Sequence, residues 1–228
     1  MTKVVKPLDA AGLVLIRAGS NGEPEILLGR RHRRAGFLPD IYVVPGGRVD
    51  PADSAPSGFA ESLHPIVSAS LASGGSRRPA LAFPRAALRE THEETGLLVG
   101  VSGRPTESRD LPIWRAYGAA GLAPDFGTLD FICRAITPVS SARRYNTRFF
   151  LADGAQAIGS VNSNGELEDL AWRPVSAFGS LNIVDVTEYV LKEALRRWQA
   201  RCPAGAEPPK LLNYRNDIMT LSRHRARR

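Results

Sequence analysis

The run Arg-Glu-Thr-His-Glu-Glu-Thr-Gly at positions 89–96 places three glutamates in a fixed pattern. On an α-helix, their spacing brings Glu90, Glu93 and Glu94 to one face, within reach of each other. Like charges placed in this way destabilise an isolated helix by roughly 0.2–0.5 kcal/mol per pair. Carboxylate oxygens are the ligands that Mg²⁺ and Mn²⁺ prefer, so a divalent cation would turn this repulsion into a binding site. The run therefore predicts a helix that carries metal ligands.

Segments with strand and helix patterns alternate along the chain, which indicates an α/β or α+β layered domain. Pro84 suits a helix start and Gly96 a helix end, so the acidic run belongs to a predicted helix. We expect one domain over residues 1–228, with a C-terminal helical extension over about 184–228. Strands are predicted at 11–17, 25–30, 41–44, 97–101, 128–136, 146–151 and around 168–172.

The segment over about 54–80 interrupts this alternation. It is rich in Ser, Ala, Gly and Pro, and residues 73–76 (Ser-Gly-Gly-Ser) are typical of a flexible break. We interpret it as an insertion on the surface of the domain.

The charge and composition of the chain limit the classes of partner that it can bind. The net charge of +7 and the pI of about 9.9 favour anionic partners, such as phosphorylated small molecules, nucleic acid or acidic lipid. No apolar run approaches the length of a membrane span, and the first residues lack the apolar core of a signal peptide. With Cys133 and Cys202 as the two cysteines, no disulfide framework is expected. These features predict a cytoplasmic protein without a membrane partner.

Residues ahead of the acidic run extend the pattern. Gly47, Asp53 and the run 89–97 together resemble the Nudix box, which is a glycine, five residues, a glutamate, seven residues and then Arg-Glu-apolar-any-Glu-Glu-any-Gly-apolar. The second half matches except at Thr91, where the signature has an apolar residue. Asp53 replaces the first glutamate and is shorter, which leaves its loop-stabilising role open. The gap from Asp53 to Arg89 holds 35 residues, so 28 are extra.

The resemblance implies an α/β fold of the Nudix type, an α/β/α sandwich with a mixed β-sheet, in which the loop and helix of the box line a cleft. It implies a hydrolase that uses Mg²⁺ or Mn²⁺ to cleave the diphosphate bond of a nucleoside diphosphate derivative. Divalent ions neutralise the charge on the diphosphate and lower the pKa of bound water. Dimers are common in the family, so a homodimer stays open.

Two further motifs favour one branch of the family. The insertion in the box resembles the branch that includes the peroxisomal-type coenzyme A diphosphatases. Two motifs outside the box are also similar to that branch: Gly36-Phe37-Leu38-Pro39 before it and Arg-Arg-Tyr-Asn-Thr-Arg-Phe-Phe at 143–150 after it. Coenzyme A or acyl-coenzyme A is therefore one expected substrate. Dinucleotides such as NADH, FAD or ADP-ribose form the broader alternative.

The resemblance also assigns roles by position. The main-chain carbonyl of Gly46 and the side chains of Glu90, Glu93 and Glu94 are the expected metal ligands. Arg89 is expected to hold a glutamate through a salt bridge and to orient the catalytic carboxylate.

The motif does not identify a single residue as the general base, and it does not identify the residues that contact the substrate. Glu90 is one candidate base, and Glu166 or Glu168 in a late loop is another. Arg30, Arg31 and Arg148 are the predicted phosphate contacts, since the first two belong to a basic cluster just before the box. Arg148 lies in an apolar run, where a cation needs a partner.

Two alternatives to a diphosphatase of small molecules remain. A non-catalytic nucleotide-sensing Nudix domain is one, although such modules often lose glutamates of the box and this chain retains all three on the helix. An RNA 5′-end pyrophosphohydrolase is the other. No aromatic-rich RNA-binding motif supports it, which argues against nucleic acid as a partner.

Overall fold

The computed structural model describes residues 5–73, 75–107 and 110–224. The strands are β1 (Leu8–Ala18), β2 (Pro24–Arg31), β3 (Tyr42–Val43), β4 (Gly46–Arg48), β5 (Leu98–Val99), β6 (Val101–Ser102), β7 (Leu122–Ala123), β8 (Asp130–Ile136), β9 (Tyr145–Asp153), β10 (Ala157–Ile158), β11 (Leu167–Pro174), β12 (Lys210–Arg215) and β13 (Ile218–Arg223). The α-helices are α1 (Pro65–Ala72), α2 (Ala82–Thr95), α3 (Pro112–Ala120) and α4 (Asp185–Gln199). Within these ranges, the helices are too short or too polar to span a lipid bilayer.

Strand β1 shows why the chain forms layers. Every residue from Ala10 to Ile16 is buried, which is typical of a strand covered on both faces. Because side chains alternate between faces, Leu13 and Leu15 join one core, while Val14 and Ile16 join the other. Helices α2 and α3 close the first core, and α4 closes the second. The predicted α/β/α sandwich is confirmed.

The main sheet is mixed. In the part of the chain that the structure describes, it has nine strands, in the order β11-β2-β1-β9-β8-β12-β13, with β3 beside β2 and β4 beside β1. β1 runs parallel to β9 and β12 runs parallel to β8, while the other pairs are antiparallel. Helix α2 packs on β1 and β4, which brings the acidic run to the glycine loop.

The segment 54–80, predicted to lie on the surface, contributes to the core instead. Its helix α1 buries Val67 and Leu71. The carboxylate of Glu61 pairs with Arg85 of α2, and the bond from Arg85 Nε to Glu61 Oε1 is 2.7 Å long. The few apolar residues that anchor the segment are scattered among Ser, Ala and Gly, so composition alone suggested a surface loop.

The predicted helical extension over 184–228 is wrong beyond Gln199, where α4 ends. Strands β12 and β13 follow as an antiparallel hairpin, and β12 joins the main sheet beside β8. Asn216 and Asp217 form the turn with φ of 50° and 60°, the positive values that tight hairpin turns require. Residues 225–228 of the predicted extension lie outside the described residues.

Candidate active site

A cleft of about 680 Å³ lies where α2 meets β4. Most of the residues predicted for the metal site and its surroundings meet there, joined by one from the loop before β11. The lining of the cleft includes Gly46, Gly47, Arg89, Glu90, Glu93, Glu94, Arg31 and Glu166.

The glycine loop lies directly against the acidic face of α2. The N–H of Gly46 donates to Oε2 of Glu94 over 2.8 Å. Gly46 has a φ of 155°, and a Cβ there would lie 2.5 Å from the carbonyl oxygen of Ala11. At Gly47 a Cβ would lie 2.5 Å from the carboxyl carbon of Glu90. Glycine at both positions therefore allows the helix to approach the loop this closely.

Arg89 ties the loop to the helix. Its Nε and Nη2 donate to Asp53 over 2.9 and 3.0 Å, and Nη2 also donates to the carbonyl of Arg48 over 3.1 Å. Its Nη1 pairs with Glu90 at 2.9 Å and with Glu93 at 3.0 Å. Burial acts to lower the pKa of Arg89, but the hydrogen bonds to Asp53 and the nearby carboxylates raise it above the ordinary value. Asp53, whose role the sequence left open, is thus the main anchor of Arg89.

The cleft concentrates negative charge. Burial raises the pKa of Glu94 to about 8, and the charges of Glu90 and Glu166 add to this, while the N–H of Gly46 and the charge of Arg31 oppose it. Burial likewise raises the pKa of Glu90 to about 7, against the attraction of Arg89. The raised pKa values indicate that the protein alone compensates little of the negative charge of these carboxylates.

This donor set fits a divalent cation in its chemistry, because several carboxylates with poorly compensated charge line one cleft. In the residues that the structure describes, no three Asp, Glu, His or Cys side chains are arranged as a ready metal site. Instead, Arg89 holds Glu90 and Glu93, while Gly46 holds Glu94. The assignment of the metal ligands stays a prediction.

Comparison with known proteins decides the family. No family model matches the chain. A Nudix hydrolase from Alicyclobacillus acidocaldarius, of known crystal structure, is 30% identical to it and superposes with a TM-score of 0.67, over 90% of this chain and 100% of that one.

The chain belongs to the Nudix hydrolase family. The MutT protein of Bacillus halodurans shares the fold, with a TM-score of 0.50 at 14% identity over 94% of this chain and 96% of that one. The acyl-coenzyme A diphosphatase NUDT19 of Gallus gallus is 30% identical over 62% of this chain. The chain spans 54% of the length of that curated relative.

Within this Nudix site, the two late glutamates lie in different surroundings. Glu166 lines the cleft, and its charge acts on both Glu90 and Glu94. Glu168, the predicted catalytic residue, pairs with Nη2 of Arg30 at 3.0 Å and with His32 at 3.5 Å. The geometry therefore favours Glu166 over Glu168 as the reacting carboxylate.

Two basic residues before the Nudix box, Arg30 and Arg31, also lie in different surroundings. Arg31 lines the cleft, whereas Arg30 does not belong to the lining. Arg30 pairs through Nη1 with Asp40 at 2.8 Å and through Nη2 with Glu168. Of these two arginines, Arg31 is the one placed to meet a ligand.

Arg148 does not fit its predicted role as a substrate contact. Its side chain is fully buried, and Nη1 pairs with Asp9 at 2.6 Å and donates to the carbonyl of Asn146 over 2.8 Å. The guanidinium also lies over the ring of Phe83, 3.9 Å from its centre. Arg148 is a core cation whose partner, Asp9, lies far away in the sequence.

Two parts of the cleft wall come from distant segments. Phe37 and Tyr145, from the motifs that favour the coenzyme A branch, meet edge to face with ring centres 5.2 Å apart and both line the cleft. Asp185 and Tyr214 line it as well, and the sequence did not indicate them. A turn at 216–217 between two short strand-like runs is the sequence feature that could have predicted the hairpin that carries Tyr214.

Proposed function

We propose that this Nudix protein is a diphosphatase that depends on a divalent cation and acts on coenzyme A or an acyl-coenzyme A. The observation that carries the reaction class is the cleft in which Glu90, Glu93, Glu94 and Glu166 lie beside the glycine loop. The substrate class is supported by the relative named as an acyl-coenzyme A diphosphatase and by the two branch motifs that meet at the cleft.

Nudix hydrolases generally use divalent metal cations. Glu90, Glu93 and Glu94, with the carbonyl of Gly46, are the residues that would hold Mg²⁺ or Mn²⁺ here. When bound, the cation would neutralise charge on the diphosphate and make water more acidic. That contribution matters because the cleft itself carries an excess of negative charge, which would otherwise repel an anionic substrate.

The residues of the chain then supply positioning and proton transfer. Arg31 binds a non-bridging phosphate oxygen, and Glu166 accepts a proton from the attacking water. The water oxygen forms a bond to one phosphorus, and the bond from that phosphorus to the bridging oxygen breaks. The bridging oxygen leaves with the second phosphate. Each product ends in a phosphate monoester, and the two products are adenosine 3′,5′-bisphosphate and 4′-phosphopantetheine when coenzyme A is the substrate.

A panel of diphosphates tests this proposal. The protein is incubated with Mg²⁺ or Mn²⁺ and coenzyme A, an acyl-coenzyme A, NADH, FAD, ADP-ribose or capped RNA, and products are resolved by chromatography. We expect cleavage of the coenzyme A compounds at the highest kcat/KM. Cleavage of a dinucleotide or capped RNA in preference to them would overturn the substrate class. Absence of product from every compound would favour a nucleotide-sensing domain.

The two arginines before the box give a matched pair of variants. We expect Arg31→Ala to raise KM by about 10- to 100-fold, because a charged hydrogen bond to phosphate contributes about 1.5–3 kcal/mol. Arg30→Ala should change KM less than threefold, since its guanidinium is already paired with Asp40 and Glu168. Steady-state kinetics on the best substrate measure both. Equal losses in the two variants would contradict this assignment.

The two late glutamates give a second matched pair. We expect Glu166→Gln to lower kcat on the order of 10²-fold, the smaller end of what a general base contributes. Glu168→Gln should leave kcat within about threefold, because a partly exposed ion pair to Arg30 contributes little. The measurement is kcat at saturating substrate. A larger loss in Glu168→Gln would return the role of base to Glu168.

A further inference from the structure

The cleft extends well beyond the glutamates. The register of the sheet aligns Arg48 of β4, Ala10 of β1, Thr147 of β9 and Ala135 of β8 in one row. All four residues line the cleft. In the same row Ala135 pairs with Leu212 of β12, the strand that carries the cleft residue Tyr214. The floor of the cleft, formed by these strands, therefore extends across five adjacent strands. Four strand spacings of about 4.8 Å give a length of about 19 Å.

Tyr214 stands at the far end of this floor. Leu212 of β12 pairs with Ala135, and Tyr214 lies two residues further along on the same face. Its hydroxyl donates to Oδ1 of Asp185 over 2.8 Å, at the first residue of α4. Both residues line the cleft. A hydroxyl that donates one hydrogen bond can still accept another, so Tyr214 can receive an N–H from a ligand.

The two ends of the cleft differ in charge and polarity. The end near the box has Arg31 and Arg48 in its lining, which suits the phosphorylated nucleoside. The far end, with Tyr214 and the carboxylate of Asp185, has a lining of apolar residues and short hydroxyl residues: Ala135, Ile136, Thr137, Pro138, Ser141, Val184, Val186 and Thr187. The apolar side chains and the hydroxyls of this end fit an uncharged, chain-like arm with amide groups, whereas Arg31 and Arg48 lie at the end near the box.

We propose that Tyr214, held by Asp185, determines specificity by contacting the pantetheine arm of the substrate at the far end of the cleft. This inference rests on the proposed coenzyme A substrate. It assigns the arm, and not the nucleoside, to the C-terminal hairpin. Contact with the arm lies about 19 Å from the box, so it contributes to binding and leaves the chemistry at the diphosphate unchanged.

The test separates the two halves of the substrate. Calorimetry measures the Kd of 4′-phosphopantetheine and of adenosine 3′,5′-bisphosphate for the wild type, Tyr214→Phe, Tyr214→Ala and the control Tyr189→Phe. Tyr189 lies on α4 and packs on the core outside the cleft lining. We expect 4′-phosphopantetheine to bind about threefold more weakly to Tyr214→Phe and about tenfold more weakly to Tyr214→Ala, the range of one lost hydrogen bond. Adenosine 3′,5′-bisphosphate should bind all four proteins equally.

Kinetics on coenzyme A give the second readout: KM should rise in the same proportion, with kcat within about twofold of the wild type. Unchanged binding of 4′-phosphopantetheine to both Tyr214 variants, or an equal weakening of both halves, overturns the inference. A wild type that binds 4′-phosphopantetheine through Tyr214 but cleaves no coenzyme A overturns the proposed function alone. Because Tyr214→Phe keeps the ring, a folding defect in Tyr214→Ala does not remove the test.

Discussion

Replacing Glu94 by glutamine should lower kcat on the order of 10³-fold in the presence of Mg²⁺ or Mn²⁺. A carboxylate that holds a catalytic cation contributes several kcal/mol of transition-state stabilisation, which a neutral amide cannot supply. The fold should survive, because the amide oxygen of glutamine can still accept the hydrogen bond from the N–H of Gly46.

Three measurements distinguish a lost metal ligand from a damaged fold. Turnover is measured against cation concentration, Mn²⁺ binding is followed by electron paramagnetic resonance, and thermal unfolding reports stability. Glu188→Gln is the matched control, since Glu188 is an exposed residue of α4 that pairs with Lys192. It should behave as the wild type in all three. Turnover by Glu94→Gln at the wild-type rate would refute the metal-site assignment.

The acidic helix could be predicted because its pattern is local. Spacing within one helix fixes which side chains share a face, so Glu90, Glu93 and Glu94 were expected together before any fold was known. The glycine loop could be recognised in the same way, from the resemblance of Gly46-Gly47 and the helix to one motif. Helix α2 begins at Ala82, two residues before the predicted start at Pro84, and ends at Thr95 as expected.

The roles of single arginines and late glutamates depend on partners that are distant in sequence. Arg148 was expected at the substrate because a cation in an apolar strand needs a partner. That partner is Asp9, which β1 brings alongside β9. Glu168 and Glu166 differ by two positions, yet Glu168 lies in β11 and pairs with Arg30, whereas Glu166 precedes the strand and lines the cleft. No local pattern distinguishes such cases.

The C-terminal hairpin was missed for a related reason. The periodicity of α4 is strong, whereas the residues after Gln199 have an ambiguous pattern that does not mark the end of the helix. Strands β12 and β13 have few buried side chains, with Leu212 the buried member of β12. β12 is positioned by hydrogen bonds to β8, and β13 by hydrogen bonds to β12, which sequence periodicity does not report. The far end of the cleft, with Tyr214, was therefore outside the predicted site.

The largest expected effect on the stability of the protein comes from breaking the ion pair between Asp53 and Arg89. We expect Asp53→Asn to lower the free energy of unfolding by about 1.5–3 kcal/mol, because Arg89 loses its charged hydrogen bonds to Asp53 but keeps its ion pairs with Glu90 and Glu93. Asp53 is 2% exposed and Arg89 is 8% exposed, so water cannot replace the lost carboxylate. The carboxylate of Asp53 also accepts the N–H of Asp50 over 2.7 Å. Asparagine can keep that bond, which confines the loss to Arg89.

Asp50→Asn is the matched control for this prediction. Asp50 lies in the same loop, but its ion pair with Arg48 is exposed at both ends, so its loss should cost less than about 1 kcal/mol. Urea unfolding of the wild type and both variants gives the free energies. Similar small losses in the two variants would show that Asp53 does not anchor Arg89 as the geometry indicates. A large loss in Asp53→Asn alone would mean that aspartate performs the loop-to-helix role of the glutamate in the Nudix signature, across 35 intervening residues.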